Sequence, residues 1–305
     1  MMARRGLGAS GVEVSAVGLG GYWLGAADPG AAVAVLEASC SAGVDWVDTA
    51  EGYFDGANET NLGIALRSVP TMKVGSKISP WRTGPTPAGV RDACEASLRR
   101  LRREQLDVYL VHAPASGIAV ELTWTAMAEL VERGLVRAIG LSNFPLDAVR
   151  EAHAVRPVDV VQDGLSLLDY LANREHFAAC AALGIAGVVY EPLANGLLTG
   201  SITATTDLSE WRDWPEIFDR LFAAARLERS LDVVDRLRAC ARQWGHTMSQ
   251  LAIAWCAHQL GVTSVLAGTT SPQHARSNAD AGSITLTTAQ LAQLDDLIPL
   301  GPSFA

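Results

Sequence analysis

The stretch LDVYLVHAPASGIAVELTWTAMAELVERGLVRAIGL, residues 106–141, decides the fold of this chain. It opens on an apolar run, Leu106–Val111, and closes on a second, Val136–Leu141, and each run has the length and composition of a buried strand. Between them, Thr123–Arg133 has helical periodicity and ends before a glycine. A strand, a helix and a strand in this order predict two parallel strands joined by a right-handed crossover.

The same unit repeats on both sides of this stretch. Further strands are predicted at Ser15–Gly20, Val44–Asp48, Thr71–Lys77, Val158–Gln162, Ala186–Tyr190 and Ser264–Gly268. Further helices are predicted at Ala31–Ala42, Glu59–Arg67, Thr86–Arg103, Leu146–His153, Glu175–Leu183, Leu231–Gln243, Met248–Gln259, Pro272–Ala281 and Thr288–Ile298. Strict alternation implies parallel strands, and this number of units favours an α/β fold, a (β/α)8 TIM barrel with long loops at its C-terminal face.

An open, doubly wound sheet is the alternative architecture. Its first turn should carry the spacing G-x-G-x-x-G, which Gly18, Gly20 and Gly21 do not have. The longest segment without an apolar period is Gly200–Ile217, which we predict to be a loop over the barrel. No linker interrupts the pattern, so we predict a single domain over residues 1–305.

Composition excludes several classes of protein. Hydrophobic residues make up 49% of the chain, enough for a large core. The net charge of −9 disfavours nucleic acid as a partner. There is no signal-peptide pattern and no apolar run of about eighteen residues, so we expect a cytoplasmic protein that does not bind membranes. The cysteines are five, an odd number, and form no C-x-x-C pair, which indicates reduced thiols. We expect a monomer or a weak oligomer.

The candidate active site consists of polar residues at the ends of predicted strands, where barrel enzymes carry their chemistry. Asp48 ends the second strand, Lys77 ends the third and His112 follows the fourth, while Tyr53 comes five residues after Asp48. Lysine is rare here, since only Lys73 and Lys77 occur among the 24 lysines and arginines. Each of these residues alone has an ordinary structural explanation, but a structural barrel does not need all of them at one rim.

Together these residues can form a proton donor beside a site for a developing alkoxide. A free tyrosine has a pKa of about 10, which is too high for good proton donation at neutral pH. We expect the ammonium group of Lys77 to lower the pKa of Tyr53, and the carboxylate of Asp48 to keep that ammonium charged. His112 can donate a hydrogen bond to the substrate oxygen and orient it.

Motifs around these residues resemble those of the aldo-keto reductase family. VDTAEGY at 47–53 resembles the signature D-T-A-x-x-Y, and GSK at 75–77 and LDVYLVH at 106–112 resemble the family's lysine and histidine strands. GLSNF at 140–144 and YEPLANGLLTG at 190–200 continue the similarity, which covers nearly the whole chain in order. The resemblance implies an NAD(P)H-dependent enzyme that reduces an aldehyde or ketone to an alcohol, or runs in reverse. It also implies a catalytic tetrad of Asp48, Tyr53, Lys77 and His112, with Tyr53 as general acid.

The resemblance further implies a binding site for NADPH, with NADH as a possible alternative. Ser142, Asn143 and Gln162 would hold the nicotinamide carboxamide, and Tyr190 would stack on the ring. The remaining predicted cofactor contacts lie along the rest of the rim, with main-chain groups near 193–198 assigned to the pyrophosphate: Gly21, Tyr22, Asp48, Pro192, Leu193, Asn195, Gly196, Leu198, Arg212, Gly268, Thr269, Thr270, His274 and Asn278.

Four positions depart from the family pattern. Phe54 replaces a glycine, Glu191 replaces a serine and adds negative charge near the pyrophosphate path, and Ser201 replaces a lysine. Arg212 is expected to compensate for that lysine. His274 replaces an arginine that often pairs with the 2′-phosphate, so we predict a narrower preference for NADPH than in relatives with arginine there.

The predicted substrate pocket is aromatic. Trp23, Phe54 and Trp81 follow strand ends and, with His112, are expected to line it. Aromatic walls suit sugars as well as aryl aldehydes or ketones.

Two other functional classes compete with the enzyme. Potassium-channel β-subunits resemble the same family and are cofactor-binding accessory proteins, but this chain has His112 and no evident partner-binding extension. A metal-dependent barrel hydrolase with Asp48 and His112 as ligands would need about three or more His or Asp ligands at strand ends. The other histidines fall on predicted helices or near their starts, so we predict no metal.

Overall fold

A computed structural model describes residues 2–26 and 28–298 of the protein. Within them, eight parallel strands close a barrel, which confirms the predicted (β/α)8 fold and excludes the open sheet. These strands are β3 (Val17–Gly20), β4 (Trp46–Asp48), β5 (Lys73–Ile78), β6 (Leu106–Val111), β7 (Val136–Ser142), β8 (Val160–Gly164), β9 (Ala186–Tyr190) and β10 (Val262–Gly268). Met1, residue 27 and residues 299–305 of the predicted domain lie outside the described residues, and its boundaries stay a prediction.

Helices connect the strands and cover the barrel. They are α1 (Tyr22–Ala26), α2 (Pro29–Ser41), α3 (Ala57–Ala65), α4 (Pro87–Leu101), α5 (Val120–Glu132), α6 (Leu146–Val155), α7 (Asn173–Ala181), α8 (Pro215–Ile217), α9 (Ala224–Gln243), α10 (Met248–Ala257), α11 (Pro272–Asp280) and α12 (Thr288–Leu297). Every helix predicted from periodicity is present. Its ends agree with the prediction within about three residues, except that α9 begins at Ala224 rather than at Leu231. Hydroxyl side chains cap the N-termini of several helices. At the start of α4, for example, Thr86 Oγ1 accepts a hydrogen bond from Gly89 N at 3.1 Å. None of the described helices is long and apolar enough to cross a membrane.

An N-terminal hairpin closes the bottom of the barrel, and the sequence did not predict it. Strands β1 (Arg4–Gly6) and β2 (Glu13–Ser15) pair antiparallel. Leu7, Val12 and Val14 from this hairpin belong to the apolar cluster that fills the barrel interior. Strands of three residues are too short to show alternation, which is why periodicity missed them.

The connection from β9 to α9 contains more regular structure than we predicted. The segment Gly200–Ile217 includes a 3-10 turn at Ser209–Asp213 and the short helix α8, and a turn of π-helix follows at Phe218–Phe222. The prediction of a plain loop is therefore wrong in part. Isolated aromatic contacts hold these turns, such as that of Trp211 with Phe222 at 5.1 Å between ring centroids, and such contacts leave no periodic pattern in a sequence.

Candidate active site

The register of the barrel brings Asp48, Lys77 and Tyr53 together at its C-terminal rim. Asp48 at the end of β4 lies beside Gly75 of β5, two residues before Lys77. The Lys77 ammonium forms an ion pair with the Asp48 carboxylate and donates to Thr49 O at 2.8 Å and to Tyr53 Oη at 3.4 Å. Lys77 and Asp48 are only 1% and 4% exposed, so water does not screen the pair.

Asp48 is held from two more directions. Gln162 Nε2 on the far side of the barrel donates to Asp48 Oδ1 at 3.2 Å. Gly21 N donates to Asp48 O at 2.8 Å. A Cβ at residue 21 would lie 2.6 Å from that same oxygen, so the close approach requires glycine there. The first contact holds the carboxylate that pairs with Lys77, and the second holds the main chain that carries it.

A short turn carries Tyr53 from β4 to the rim. It is anchored by Asn58, whose Oδ1 accepts from Thr49 Oγ1 at 2.7 Å and whose Nδ2 donates to Tyr22 O at 2.6 Å. Phe54 has a φ of 49°, in the left-handed region that favours glycine. The glycine that the family usually has at this position adopts this conformation without strain, whereas phenylalanine does not.

The pKa of Tyr53 is raised in this structure. Burial raises it most and the charge of Asp48 raises it further, while Lys77 lowers it. Lys77 therefore acts in the expected direction, but the expectation of a lowered pKa is wrong on balance. The ammonium itself remains charged, because the neighbouring Asp48 and Tyr53 raise its pKa by more than burial lowers it. At neutral pH the site holds a protonated phenol beside an ammonium group, which is the form that can donate a proton.

His112 completes this side of the rim as a neutral imidazole. Burial, with a smaller effect of Lys77, holds its pKa well below the usual value. The ring packs edge-on against Tyr53 at 5.5 Å and beside Trp81 at 4.9 Å between centroids. Ser79 Oγ lies 3.2 Å from His112 Nδ1. Ser79 was missed because the predicted strand stopped at Lys77.

The four residues assigned to the nicotinamide lie side by side at the ends of β7, β8 and β9. Ser142 Oγ donates to Gln162 O at 2.8 Å, and Asn143 Nδ2 donates to Ser142 Oγ at 3.0 Å. Tyr190 Oη donates to Asn143 Oδ1 at 2.7 Å. Asn143 adopts a left-handed φ of 62°. The polar groups and the tyrosine ring thus form one continuous side of the rim.

Behind this group lies an ion pair that sequence analysis did not identify. Asp163 Oδ1 accepts from Asn143 N at 3.1 Å, and its Oδ2 lies 3.4 Å from His176 Nε2. The Asp163 carboxylate is the main reason that the pKa of His176 is raised to about 10, and the neighbouring Cys180 raises it further. His176 was set aside because it falls on a predicted helix, α7, and helical periodicity does not show which strand end a helical residue touches.

Glu191, which replaces the family's serine, does not leave an unbalanced charge. Its Oε2 accepts from Arg220 at 2.9 Å, and Arg220 also pairs with Asp169. The guanidinium lies over the ring of Tyr170, 4.3 Å from its centroid. Arg220 belongs to the π-helical turn Phe218–Phe222, and no pattern in the sequence indicated that it reaches Glu191.

The turn assigned to the pyrophosphate has an irregular backbone. Pro192 and Leu193 lead into Ala194–Thr199, where φ is 50° at Asn195 and 98° at Gly196. Leu198 is buried beneath it, and Arg238 of α9 donates to Gly200 O at 3.1 Å.

Arg212, expected to compensate for the missing lysine, lies in the long connection after β9. It is exposed in the turn Ser209–Asp213, with its guanidinium 5.8 Å from the ring centroid of Phe218. Its contact with cofactor stays a prediction.

The residues assigned to the adenosine phosphate surround the start of α11. Gly268 pairs with Gly20 across β10 and β3, and Thr269 Oγ1 accepts from Ser271 N at 3.1 Å. Ser271 in turn caps α11 by accepting from His274 N at 3.3 Å. Thr270 and His274 are exposed at this helix end, whereas Asn278 is buried one turn further on.

An aromatic cluster covers Tyr53. Trp23, Phe54 and Trp81 are 47%, 41% and 63% exposed. Tyr22, predicted to contact cofactor, lies at the centre of the cluster, with its ring 4.9 Å from Trp23, 5.0 Å from Phe54 and 4.8 Å from Tyr53. Trp214, which the sequence placed only in the long loop, lies 6.1 Å from Tyr22.

The described residues contain no group of three or more His, Cys, Asp or Glu side chains that could hold a metal ion. Asp48 instead pairs with Lys77, and His112 contacts Ser79. The two residues considered as metal ligands thus have other partners.

Comparison with known proteins identifies the family. The model of the aldo/keto reductase family matches residues 16–299. The chain is 31% identical over 311 residues to "Probable aldo-keto reductase 1" of Glycine max, covering 97% of this chain and 88% of that protein. The glycerol dehydrogenase AKR11B4 from Gluconobacter oxydans has the same fold, with a TM-score of 0.89 at 24% identity over 99% of this chain and 98% of that one.

An aldo/keto reductase from Klebsiella pneumoniae, solved in complex with NADP and acetate, is 28% identical with a TM-score of 0.78, covering 98% of this chain and 96% of that chain. The chain belongs to the aldo/keto reductase family. It is an NAD(P)H-dependent oxidoreductase on a (β/α)8 barrel.

Proposed function

We propose that this protein reduces the carbonyl group of an aldehyde or ketone with NADPH, and that Tyr53 is the general acid. The observation that carries the proposal is the buried chain from Asp48 through Lys77 to Tyr53, beside a neutral His112. Membership of the family supports the class of reaction, and the contacts among these residues support the role proposed for each of them.

The residues fit a bound nicotinamide cofactor. Ser142, Asn143, Gln162 and Tyr190 offer amide, hydroxyl and ring groups on one side of the rim. Asn195 Nδ2 is buried with no hydrogen-bond partner among the described residues, which suits an acceptor such as a phosphate oxygen.

When bound, the cofactor supplies the hydride that adds to the carbonyl carbon. Tyr53 Oη then gives its proton to the carbonyl oxygen, and the ammonium of Lys77 stabilises the phenolate that remains. His112 orients the same oxygen with a hydrogen bond. Asp48 keeps the lysine charged in a site closed to water, and the reverse sequence oxidises an alcohol.

The aromatic cluster favours substrates with an apolar face. Trp23, Phe54, Trp81 and Trp214 leave aromatic surface exposed around Tyr53 and His112, which suits a sugar or an aryl carbonyl compound. We further propose that the protein acts in the cytoplasm as a monomer or a weak oligomer.

The decisive experiment compares Tyr53→Phe with Tyr22→Phe. Each removes one phenolic hydroxyl, and the two rings lie 4.8 Å apart, but Lys77 donates to Tyr53. We expect Tyr53→Phe to lower kcat by about 10²- to 10⁴-fold while the Kd for NADPH stays near the wild-type value. Tyr22→Phe should retain most activity. Near-normal turnover in Tyr53→Phe would remove it as the general acid, and NADPH binding without turnover by the wild type on a broad carbonyl panel would favour an accessory protein.

Cofactor choice depends on the start of α11. Thr269, Thr270 and Ser271 supply hydroxyl groups, while His274 stands where relatives often have an arginine. A charged, bidentate arginine binds a phosphate more strongly than hydroxyl groups do, so the preference for NADPH over NADH should be narrow in the wild type and wider in His274→Arg. Dissociation constants of both proteins for both cofactors test this. A clear preference of the wild type for NADH would overturn the choice of NADPH, and an unchanged ratio in His274→Arg would remove His274 from the explanation.

A further inference from the structure

A buried serine touches the side of the His112 ring that faces the protein. Ser79 lies just beyond the end of β5, is 0% exposed, and has its Oγ 3.2 Å from His112 Nδ1. Its own backbone is fixed, because Ser79 N donates to Glu51 Oε1 at 2.9 Å. Glu51 is also buried, and its other oxygen accepts from Thr83 Oγ1 at 3.0 Å. The position of the serine hydroxyl is therefore set by the same loop that carries Tyr53.

The space for this hydroxyl depends on glycine. A Cβ at Gly52 would lie 2.5 Å from Ser79 Oγ and 3.0 Å from Trp81 Nε1. Because residue 52 has no side chain, the hydroxyl, the imidazole and the indole of Trp81 can pack together next to Tyr53.

We propose that Ser79 is a positioning residue that selects the tautomer of His112 with its proton on Nε2. A neutral imidazole has one nitrogen that donates and one that accepts. If the serine O–H donates to Nδ1, the ring proton must be on Nε2. In the opposite arrangement Nδ1–H would donate to the serine, and the buried hydroxyl proton would have no acceptor among the described residues. An unpaired buried donor is costly, so the first arrangement is favoured.

The functional role of this tautomer rests on the carbonyl reduction proposed above. With the proton on Nε2, His112 donates to the substrate oxygen as that oxygen gains negative charge. The other tautomer would direct a nitrogen lone pair at the same oxygen and repel it. A charged imidazole would carry a proton on both nitrogens. Because His112 is neutral, it carries only one, and the tautomer decides which nitrogen can donate.

Nuclear magnetic resonance of ¹⁵N-labelled protein tests the tautomer without any turnover. Long-range ¹H–¹⁵N correlations distinguish a protonated ring nitrogen from an unprotonated one, and His112→Asn identifies the His112 signals. In the wild type at neutral pH we expect a protonated Nε2 and an unprotonated, hydrogen-bonded Nδ1. In Ser79→Ala the Nδ1 resonance should shift as it loses its donor, or the two tautomers should mix.

Kinetics with matched variants complete the test. Ser79→Ala should lower kcat roughly 3- to 30-fold, the effect of one hydrogen bond, with an unchanged Kd for NADPH. Ser79→Thr keeps the hydroxyl and should restore both the ¹⁵N signature and most of kcat. Thr83→Val removes a neighbouring hydroxyl that does not reach His112 and should leave the signature unchanged. A wild-type His112 protonated on Nδ1, or a Ser79→Ala variant with an unaltered His112 spectrum, would overturn the role of Ser79 even if Tyr53 proves to be the acid.

Discussion

The two sides of the barrel rim hold their charges in different ways. On one side Lys77 and Asp48 project from neighbouring strands and form a pair whose side chains are only 1% and 5% exposed. On the other side Arg220 pairs with Glu191, both are carried by the connection after β9, and their side chains are 23% and 25% exposed. Two charges held by strands away from water interact strongly enough to shift the pKa values of their neighbours, whereas a pair that solvent reaches is screened and interacts more weakly.

Removing Lys77 should have the largest effect, because it leaves a buried carboxylate without its partner. In Lys77→Met we expect kcat to fall by about 10²- to 10⁴-fold and the free energy of unfolding to fall by about 3–5 kcal/mol. Steady-state kinetics and urea denaturation measure the two effects.

The double variant Lys77→Met/Asp48→Asn separates the causes. It removes the unpaired charge, so much of the lost stability should return while activity stays low. If Lys77→Met were as stable as the wild type, water would have to reach the Asp48 carboxylate, and the ion pair would not be buried as the structure shows it.

The difference between the two sides also explains what the sequence could predict. Asp48, Lys77 and His112 follow apolar runs that define strands, and the ends of parallel strands meet at one rim. The N-terminal hairpin and the turn that carries Arg220 show no periodic pattern in the sequence, so their contacts could not be inferred.

The sign of the Tyr53 pKa shift could not be predicted either. It depends on how completely the ring is buried, and burial outweighs the charge of Lys77. The sequence indicated that Lys77 and Asp48 lie near Tyr53, but it does not show how far the phenol is buried from water.

Removing Arg220 should have an intermediate effect, confined to cofactor binding. In Arg220→Gln, Glu191 and Asp169 keep their negative charges near the proposed pyrophosphate path, so the Kd for NADPH should rise roughly 3- to 10-fold, with little change in kcat. The rise should shrink at high ionic strength.

Two variants sharpen this test. Arg236→Gln makes the same change of charge on the surface of α9, where the arginine pairs with Asp232, and should leave the Kd for NADPH unchanged. Glu191→Gln/Arg220→Gln should recover part of the lost affinity. If Arg220→Gln and Arg236→Gln raised the Kd for NADPH equally, the effect would come from the net charge of the protein and not from the position of Arg220.

The smallest effect concerns His176, which contrasts with His112. Beside Tyr53, burial holds the pKa of His112 well below its usual value, whereas beside Asp163 the pKa of His176 is raised to about 10. A group whose folded pKa is raised stabilises the fold when protonated. Its contribution is complete below the unfolded value of about 6.5 and is lost as the pH rises to the folded value. The contribution should be about 1 kcal/mol, because solvent partly screens the pair.

Unfolding free energies of the wild type and His176→Gln, measured from about pH 5.5 to about pH 9.5, test this contrast. The difference between the two proteins should be greatest at the low end and should shrink steadily towards the high end. His246→Gln makes the same replacement in the turn after α9 and is the matched control. Because Asp163 also holds Asn143 N, His176→Gln should weaken NADPH binding slightly more at low pH than at high pH. A stability difference that grows with pH would show that the His176 ring acts by packing rather than by its charge.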